Sequence, residues 1–359
     1  MDLADILNIP PYSLDKNDKR ELLNSYLNEL SKFHYNNCPY YNKIIESTSF
    51  NIENKVCYTE LPFLPVRLFK MFELKSIGNN EVIKTMTSSG TSGQAVSRIF
   101  LDRETSSNQT KVLSKIVSSF TGKKRMPMII IDSDSVVKNR KLFSARGAGI
   151  LGFSMFGSKR IYALNDKMEL KIDSIIEFIE QNKDETIFIF GFTYMIYLHF
   201  YKELERQNIK LDLSNSVMIH GGGWKKLINE SVSSDIFKEK LKNVCYIESV
   251  HDYYGMVEQT GSIYMECEKG HLHSSIYSDI IVRNPKDFSV AKIGEKGIIQ
   301  VLSILPNSYP GHSLLTEDEG ILLGEDNCSC GRLGKYFKIV GRLKNAEIRG
   351  CSDTYAQEI

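Results

Sequence analysis

Residues Thr87-Ser88-Ser89-Gly90-Thr91-Ser92-Gly93 put five hydroxyl side chains and two glycines into seven positions. Such a run has nothing to give a hydrophobic core. Its glycines let the backbone turn and bare successive N–H groups, and N–H groups and hydroxyls aimed one way form a nest for phosphate oxygens. The chemistry to expect is handling of a nucleoside triphosphate, although the same composition also describes a Ser/Gly surface linker.

Four later stretches share this logic. In Ile219-His220-Gly221-Gly222-Gly223-Trp224 the glycines let a flat ring lie against backbone, or simply make a tight turn. Tyr253-Tyr254-Gly255-Met256-Val257-Glu258 offers an aromatic to stack on a base and a carboxylate, Glu258, to hold Mg²⁺ against phosphate oxygens. Leu315-Thr316-Glu317-Asp318-Glu319-Gly320 reads as an acid before a turn, able to accept both ribose hydroxyls or merely to be solvated. Val340-Gly341-Arg342-Leu343-Lys344, with Arg349-Gly350 beyond, supplies cations for a phosphate or a carboxylate. His220 abuts the glycine run and His251 precedes Tyr253, so each is a ligand contact or a satisfied core histidine.

Sulfur carries two further readings. Cys267 with His273, and Cys328-Ser329-Cys330-Gly331 further on, are the donors of a closed, structural Cys₃His zinc site if a β-fold brings the two pairs together. His271 is the rival ligand, and Cys-x-Cys is tighter than the usual Cys-x₂-Cys. Cys351 stands two residues after Arg349, whose charge lowers a thiol pKa. It is a nucleophile for an activated acyl group, or a small packing residue.

These groups need elements to position them. Lys16 to Leu30 carries Leu22, Leu23, Tyr26, Leu27 and Leu30 at helical spacing, and leads into a polar aromatic turn at His34–Tyr41. Val82–Met86 reads as a strand delivering the Ser/Gly run. Apolar runs at Met128–Ile131, Thr186–Phe190, Val217–Ile219 and Val244–Ile247 read as buried strands, and helical patterns at Ile172–Ile179, Tyr194–Leu204 and Asp235–Leu241 separate several of them. Strand–helix alternation implies parallel pairing, with ligands outside the carboxyl ends of the strands. Beyond residue 260 the texture turns Gly-punctuated and β-leaning, as in Gly297–Val301. The fold class is α/β: parallel-rich sheets with helices, plus a β-rich C-terminal part.

Composition bounds the rest. The 359 residues are 42% hydrophobic and 25% charged with net charge +1, which is ordinary globular usage without the basic footprint of a nucleic-acid partner. No run approaches the ~18 apolar residues of a membrane span. The start lacks a signal-peptide pattern, and seven scattered cysteines do not suggest a disulfide framework. A cytoplasmic enzyme is expected.

A Ser/Thr/Gly loop, a glycine-rich strand end, Tyr-Gly-x-x-Glu, an acidic Asp motif and Gly-Arg occur here in that order. The ordered set resembles the adenylate-forming superfamily over roughly residues 15–355. Within it the chain is similar to the phenylacetate–CoA ligase branch, and most to the acyl-protein synthetases of bacterial luciferase fatty-acid reductase systems. The residues pointing there are Thr87–Gly93 followed by Gln94, Pro65-Val66-Arg67-Leu68-Phe69-Lys70, and Ala145-Arg146-Gly147-Ala148-Gly149. The resemblance implies that Ser88, Ser89, Gly90, Thr91, Ser92 and Gly93 wrap the ATP β- and γ-phosphates. It implies that Gly221, Gly222 and Gly223 line the adenine pocket beside Tyr254 and Gly255, and that Glu258 coordinates Mg²⁺. Asp318 would hold the ribose and Arg342 the ribose or phosphate. Some members of the branch carry a structural Zn²⁺ on Cys/His pairs like these.

The chain ends at Ile359, soon after Arg342, where relatives in the superfamily continue into a mobile lid with a catalytic lysine. The expected organisation is therefore an adenylating domain over 1–340, β-rich from about 260, and a hinge and short tail over 341–359. The expected reaction is ATP-dependent activation of a carboxylic acid, fatty as the resemblance implies, followed by transfer to Cys351 or to a thiol of a reductase or carrier protein. A phenylacetate-type acyl-CoA ligase, with Lys344 or a partner replacing the lysine, is the rival enzyme. A non-catalytic scaffold of the same fold is the rival from another class.

Overall fold

The computed structural model describes residues 3–88, 95–138, 145–224 and 230–343. Two compact units emerge. One gathers the N-terminal residues to Ser88, Ala95–Phe120 and the described run from Gly255; the other holds the described residues between Thr121 and Tyr254.

The first unit begins with a helix over Lys16–Asn37, capped by Asp15, whose carboxylate accepts from the N–H groups of Asn17 and Asp18. Leu23, Leu27, Leu30 and His34 form its buried stripe; burying each leucine is worth about 1.5–3 kcal/mol. The turn expected at His34–Tyr41 is instead two helix ends. The first helix runs on to Asn37, and Pro39 opens a second over Pro39–Glu46. His34 is polar but fully enclosed, bonding Ser76 Oγ (2.7 Å) and the Pro306 carbonyl (3.0 Å).

Strand β1 (Leu64–Pro65) precedes a two-stranded antiparallel ribbon of β2 (Lys84–Thr87) and β3 (Arg98–Leu101). In the second unit, β4 (Met126–Ser133), β5 (Gly157–Leu164), β6 (Ile187–Phe192), β7 (Ser216–Gly221) and β8 (Ser249–Tyr254) lie in the order β5-β4-β6-β7-β8, every pair parallel. β4, β6 and β7 are buried along their whole length, which is why they read as unbroken apolar runs. Helices at Ile172–Gln181 and Ser234–Cys245 and a helical run from Thr193 to Gln207, π-helical over Ile196–Tyr201, accompany the sheet.

The apolar run Val244–Ile247 is not a strand. Val244 and Cys245 end a helix begun by the Ser233 cap, Tyr246 turns left-handed at φ 58°, and the strand starts only at Ser249. The run straddles a helix end that buries Cys245 and a connection that buries Ile247.

The chain then returns to the first unit with β9 (Tyr264–Glu266), β10 (Leu272–His273), β11 (Ser278–Arg283), β12 (Lys296–Ser303), β13 (Ser313–Glu325) and β14 (Lys335–Arg342), antiparallel in the order β11-β12-β13-β14-β10-β9, with β1 parallel to β13. A buried polar knot ties the N-terminal helix to this sheet. Asp279 accepts from Tyr58 Oη (2.7 Å), Lys335 Nζ (2.7 Å), Ser274 Oγ (3.1 Å) and Lys19 Nζ (3.3 Å), and the two ammonium charges, against the cost of burial, hold its carboxyl well below the usual range. No helix among the described residues is long and apolar enough to cross a membrane.

Candidate functional site

In the first unit, Ser88 follows the end of β2. Its N–H donates to the Ser97 carbonyl (3.1 Å) and its Oγ accepts from the Ser97 N–H (2.9 Å), so the ribbon clamps the root of the Ser/Gly run. Ser89, Gly90, Thr91, Ser92 and Gly93 lie outside the described residues, as do Lys344, Arg349 and Cys351.

Gly255 leads into a single 3₁₀ turn, Val257–Gln259, that presents Glu258. The backbone here is fixed from several sides. Tyr309 Oη donates to the Glu258 carbonyl (2.9 Å), and Gln259 Nε2 donates to the carbonyls of Gly311 (2.8 Å) and Val301 (3.2 Å). The Glu258 side chain is buried, and burial pushes its carboxyl above the usual range, with the charge of Arg342 among the smaller influences drawing it back. A carboxylate so enclosed is costly to charge without a cation beside it, so its environment fits Mg²⁺.

Asp318 and Arg342 come together across β13 and β14, where they are register partners. Arg342 Nε lies 3.3 Å from Asp318 Oδ1 and one terminal nitrogen lies 3.5 Å from Glu317 Oε2. Arg67 donates to Glu317 Oε1 through Nε (3.1 Å) and a terminal nitrogen (2.8 Å). The acidic stretch is therefore not a turn: Leu315–Gly320 lies inside β13, with a register shift at Glu319/Gly320. Acids and glycine are poor strand formers, and the ladder on both sides overrides that preference. Glu317 and Arg67 are participants that sequence reasoning missed. The only signal was that Arg67 falls in the Pro65–Lys70 stretch that carried the resemblance.

In the second unit the glycine run closes β7. A Cβ added to Gly221 would meet the Tyr253 ring at 2.4 Å, and Gly222 has φ +81°, so neither position tolerates a side chain. Gly223 follows, where a Cβ would meet nothing within 4 Å. Phe192, Gly221 and Tyr253 form one row across the carboxyl ends of β6–β8, and Tyr254 is the last residue of β8. Trp224 packs against Tyr197 and Phe237 at the edge of the core, and His251 Nε2 bonds Ser249 Oγ (3.1 Å). Arg146 is buried in an ion pair with Asp132, Nε to Oδ2 at 2.6 Å.

Back in the first unit, one ligand atom from each of Cys267, His273, Cys328 and Cys330 falls within 4.8 Å of the others. The turn Cys267–Gly270 leaves β9 and the turn Cys328–Gly331 leaves β13, each closed by a backbone hydrogen bond. N–H groups of Lys269 and Arg332 point at the sulfurs of Cys267 (3.4 Å) and Cys330 (3.5 Å). Cys330 Sγ is 3.4 Å from His273 Nε2, and Cys328 Sγ is 3.4 Å from His271 Nδ1, so His273 joins the four-atom set while His271 flanks it. Tyr336 lies against both imidazoles. Burial pushes the Cys328 thiol up to about 12, a penalty a bound cation would reverse. Three thiols and an imidazole match the donor set of structural Zn²⁺.

Comparison with known proteins places the chain in a family. The chain is 22% identical over 355 residues to the long-chain-fatty-acid–luciferin-component ligase of Vibrio harveyi, covering 97% of this chain and 90% of that one. It is 24% identical to the Aliivibrio fischeri ligase of the same name, covering 95% and 90%. Among solved structures, 2-hydroxyisobutyryl-CoA ligase complexed with 2-HIB-AMP and CoA superposes with TM-score 0.69 at 13% identity, over 94% of this chain and 77% of that one. The same ligase in its thioesterification state gives 0.71 at 12% identity, over 94% and 70%. The fold is thus that of adenylate-forming ligases. The acyl-protein synthetase pattern spans residues 2–359, reaching past both the Glu258 turn and the β13–β14 acid–arginine pair, and the chain accordingly belongs to the acyl-protein synthetase (LuxE) family of acyl-adenylate-forming ligases.

Proposed function

We propose that the protein uses ATP to activate a long-chain carboxylic acid and passes the acyl group to a protein cysteine, its own Cys351 or one on an acceptor protein. The observation that carries the reading is the enclosed Glu258 on an anchored backbone, with Asp318 and Arg342 paired on neighbouring strands of the same unit. The fatty acid is taken from the names of the Vibrio harveyi and Aliivibrio fischeri ligases. The reaction consumes ATP and a free thiol, both of which suit the cytoplasm.

In this reading a carboxylate oxygen of the acid attacks the α-phosphorus of ATP, and the bond to the pyrophosphate oxygen breaks. The carboxylate is already the nucleophile, so the protein positions and neutralises rather than moving protons. Ser88 to Gly93 cradle the outer phosphates, Asp318 receives the ribose hydroxyls, and Arg342 faces ribose or phosphate. Gly221, Gly222, Gly223, Tyr254 and Gly255 receive the adenine. Mg²⁺, held by Glu258, supplies charge neutralisation when bound. A thiolate then attacks the acyl carbonyl carbon and AMP leaves with the carbonyl–phosphate bonding electrons. Zn²⁺ on Cys267, His273, Cys328 and Cys330 takes no part in the chemistry and braces the β9–β10 and β13–β14 turns. Residues 1–340 form the adenylating domain, and 341–359 the hinge and tail that bear the thiol.

The test is acid-dependent pyrophosphate exchange beside acylation of the protein itself. Cys351→Ser is expected to keep the exchange and lose the protein-bound thioester. Undiminished self-acylation in that variant, or a CoA thioester as the sole product of the wild type, overturns the transfer step. Absence of exchange with every acid, acceptor protein included, overturns the activation step.

A further inference from the structure

His220 stands one residue before the glycine run, in the row Gly191–His220–Asp252 across β6, β7 and β8. Its side chain is buried, with the residue 4% exposed. Nδ1 lies 2.9 Å from Thr193 Oγ1 and 3.5 Å from Asp252 Oδ1. Thr193 Oγ1 also donates to the Gly221 carbonyl, 3.3 Å away. With its proton committed there, the hydroxyl meets the imidazole through a lone pair. The imidazole proton therefore sits on Nδ1, between the threonine oxygen and the aspartate carboxylate.

That leaves Nε2 as an acceptor, and among the described residues it has no hydrogen-bond partner although it is enclosed. Its aromatic neighbour Phe237, 4.9 Å between ring centroids, has no donor to offer. Buried polar atoms in folded proteins are nearly always paired, and an orphan acceptor is costly. The row is not sealed on every side, since the Asp252 side chain is 41% exposed. Burial, with the charge of Lys238 as the next cause, pushes the imidazole down to about 3. A ring that stays neutral at physiological pH makes a poor general base and a constant acceptor.

We propose that His220 Nε2 determines ligand specificity by accepting a hydrogen bond from an O–H or N–H donor on the bound ligand, foremost a hydroxyl or amino group carried by the carboxylic acid. The exocyclic amino group of adenine offers the same chemistry as a second source. The inference rests on the adenylation reading and narrows it, because a plain alkanoic acid would leave the nitrogen unpaired. A site built around a buried acceptor discriminates against the ligand that lacks the donor.

The experiment compares the full-length wild type with His220→Leu, which removes the acceptor, and His220→Gln, which restores one. Pyrophosphate exchange is measured with chain-matched alkanoic and hydroxyalkanoic acids, each with ATP and with ITP, whose 6-oxo group replaces the amino donor. Thermal unfolding with each acid gives a readout free of turnover. The wild type is expected to favour the hydroxylated acid at least tenfold in kcat/KM, on the order expected for one buried hydrogen bond. That preference should vanish in His220→Leu, return in part in His220→Gln, and leave the ATP-to-ITP ratio unmoved. Should the ATP-to-ITP ratio collapse in His220→Leu instead, the acceptor role stands with the purine amino group as its donor.

A wild type indifferent to both the hydroxyl and the amino group overturns the proposal whatever the variants do. So do variants that match the wild type in every ratio and thermal shift. If no acid supports exchange, yet hydroxylated acids stabilise the wild type and not His220→Leu, the adenylation reading falls and the acceptor stands.

Discussion

A carboxylate as enclosed as that of Glu258 has two ways to lower its energy: take up a proton or acquire a cation. Its folded-state pKa is raised by burial, so the folded protein holds its proton more tightly than the unfolded chain does. The associated stability is present at low pH and lost as pH rises past the folded value. Glu258→Gln removes that loss. At pH 7.5 without Mg²⁺ the variant is expected to melt no lower than the wild type in a calorimetric scan. Its acid-dependent pyrophosphate exchange should fall by about 10²–10³, the scale of losing one preorganised charge-stabilising group. At this scale the sequence was half legible. Glu258, Asp318 and Arg342 declare themselves by type and order. Glu317 and Arg67 meet across 250 positions, and that meeting depends on β1 lying beside β13, a pairing no local pattern records.

At the scale of elements, three of the four candidate metal donors sit on two turns, Cys267 between β9 and β10 and Cys328 and Cys330 after β13, while His273 belongs to β10 itself, so the cost of closing both turns falls on whatever holds the sulfurs together. Cys330→Ser is expected to reduce bound zinc from about one per chain to a small fraction, measured by mass spectrometry of the metal. It should lower the thermal midpoint by on the order of 5–10 °C, as loss of a few kcal/mol of structural metal binding implies. Activity per folded molecule at low temperature should remain, because the donors leave no open position for substrate. A zinc-replete Cys330→Ser protein would count against this ligand set. Elements with one unmixed signal were readable: the helical period of the capped Lys16 helix and the unbroken apolar runs of the buried β4, β6 and β7. Val244–Ile247 misled because a helix end and a connection shared one apolar string. The acidic part of β13 misled because ladder partners on both sides outweighed intrinsic preference.

For the whole molecule, acid is the expected weakness. His34 and His312 stack at 4.9 Å inside the first unit, enclosed by Ser31, Ser76, Tyr41 and the Pro306 carbonyl. Burial pushes His34 down to about 3 and His312 well below its ordinary value, with the charge of His34 adding to the latter. Unfolded histidines titrate near ~6.5, so between there and 3 the unfolded chain binds more protons. Stability contributed by these rings is complete above ~6.5 and declines as pH falls, by up to about 1.4 kcal/mol per pH unit for each ring. The urea midpoint should drop steadily from pH 7 to pH 5, and the decline should be shallower in His312→Gln; a flat profile would contradict the assignment.

The first unit is assembled from stretches on both sides of the second, and this matters at the ribosome. The described residues between Thr121 and Tyr254 emerge as one stretch and can pack as they appear. The Lys16–Asn37 helix can do so only in part: Val56, Tyr58 and Ser76 follow it closely, but its partners Ser274, Asp279, Pro306 and His312 are made near the end. At 5–20 residues per second, those late partners follow the helix by on the order of tens of seconds. Stalled or truncated products that stop before residue 306 lack the Pro306 and His312 partners of His34 and Ser31, and such products are expected to lean on holding chaperones and to aggregate more readily than the finished chain.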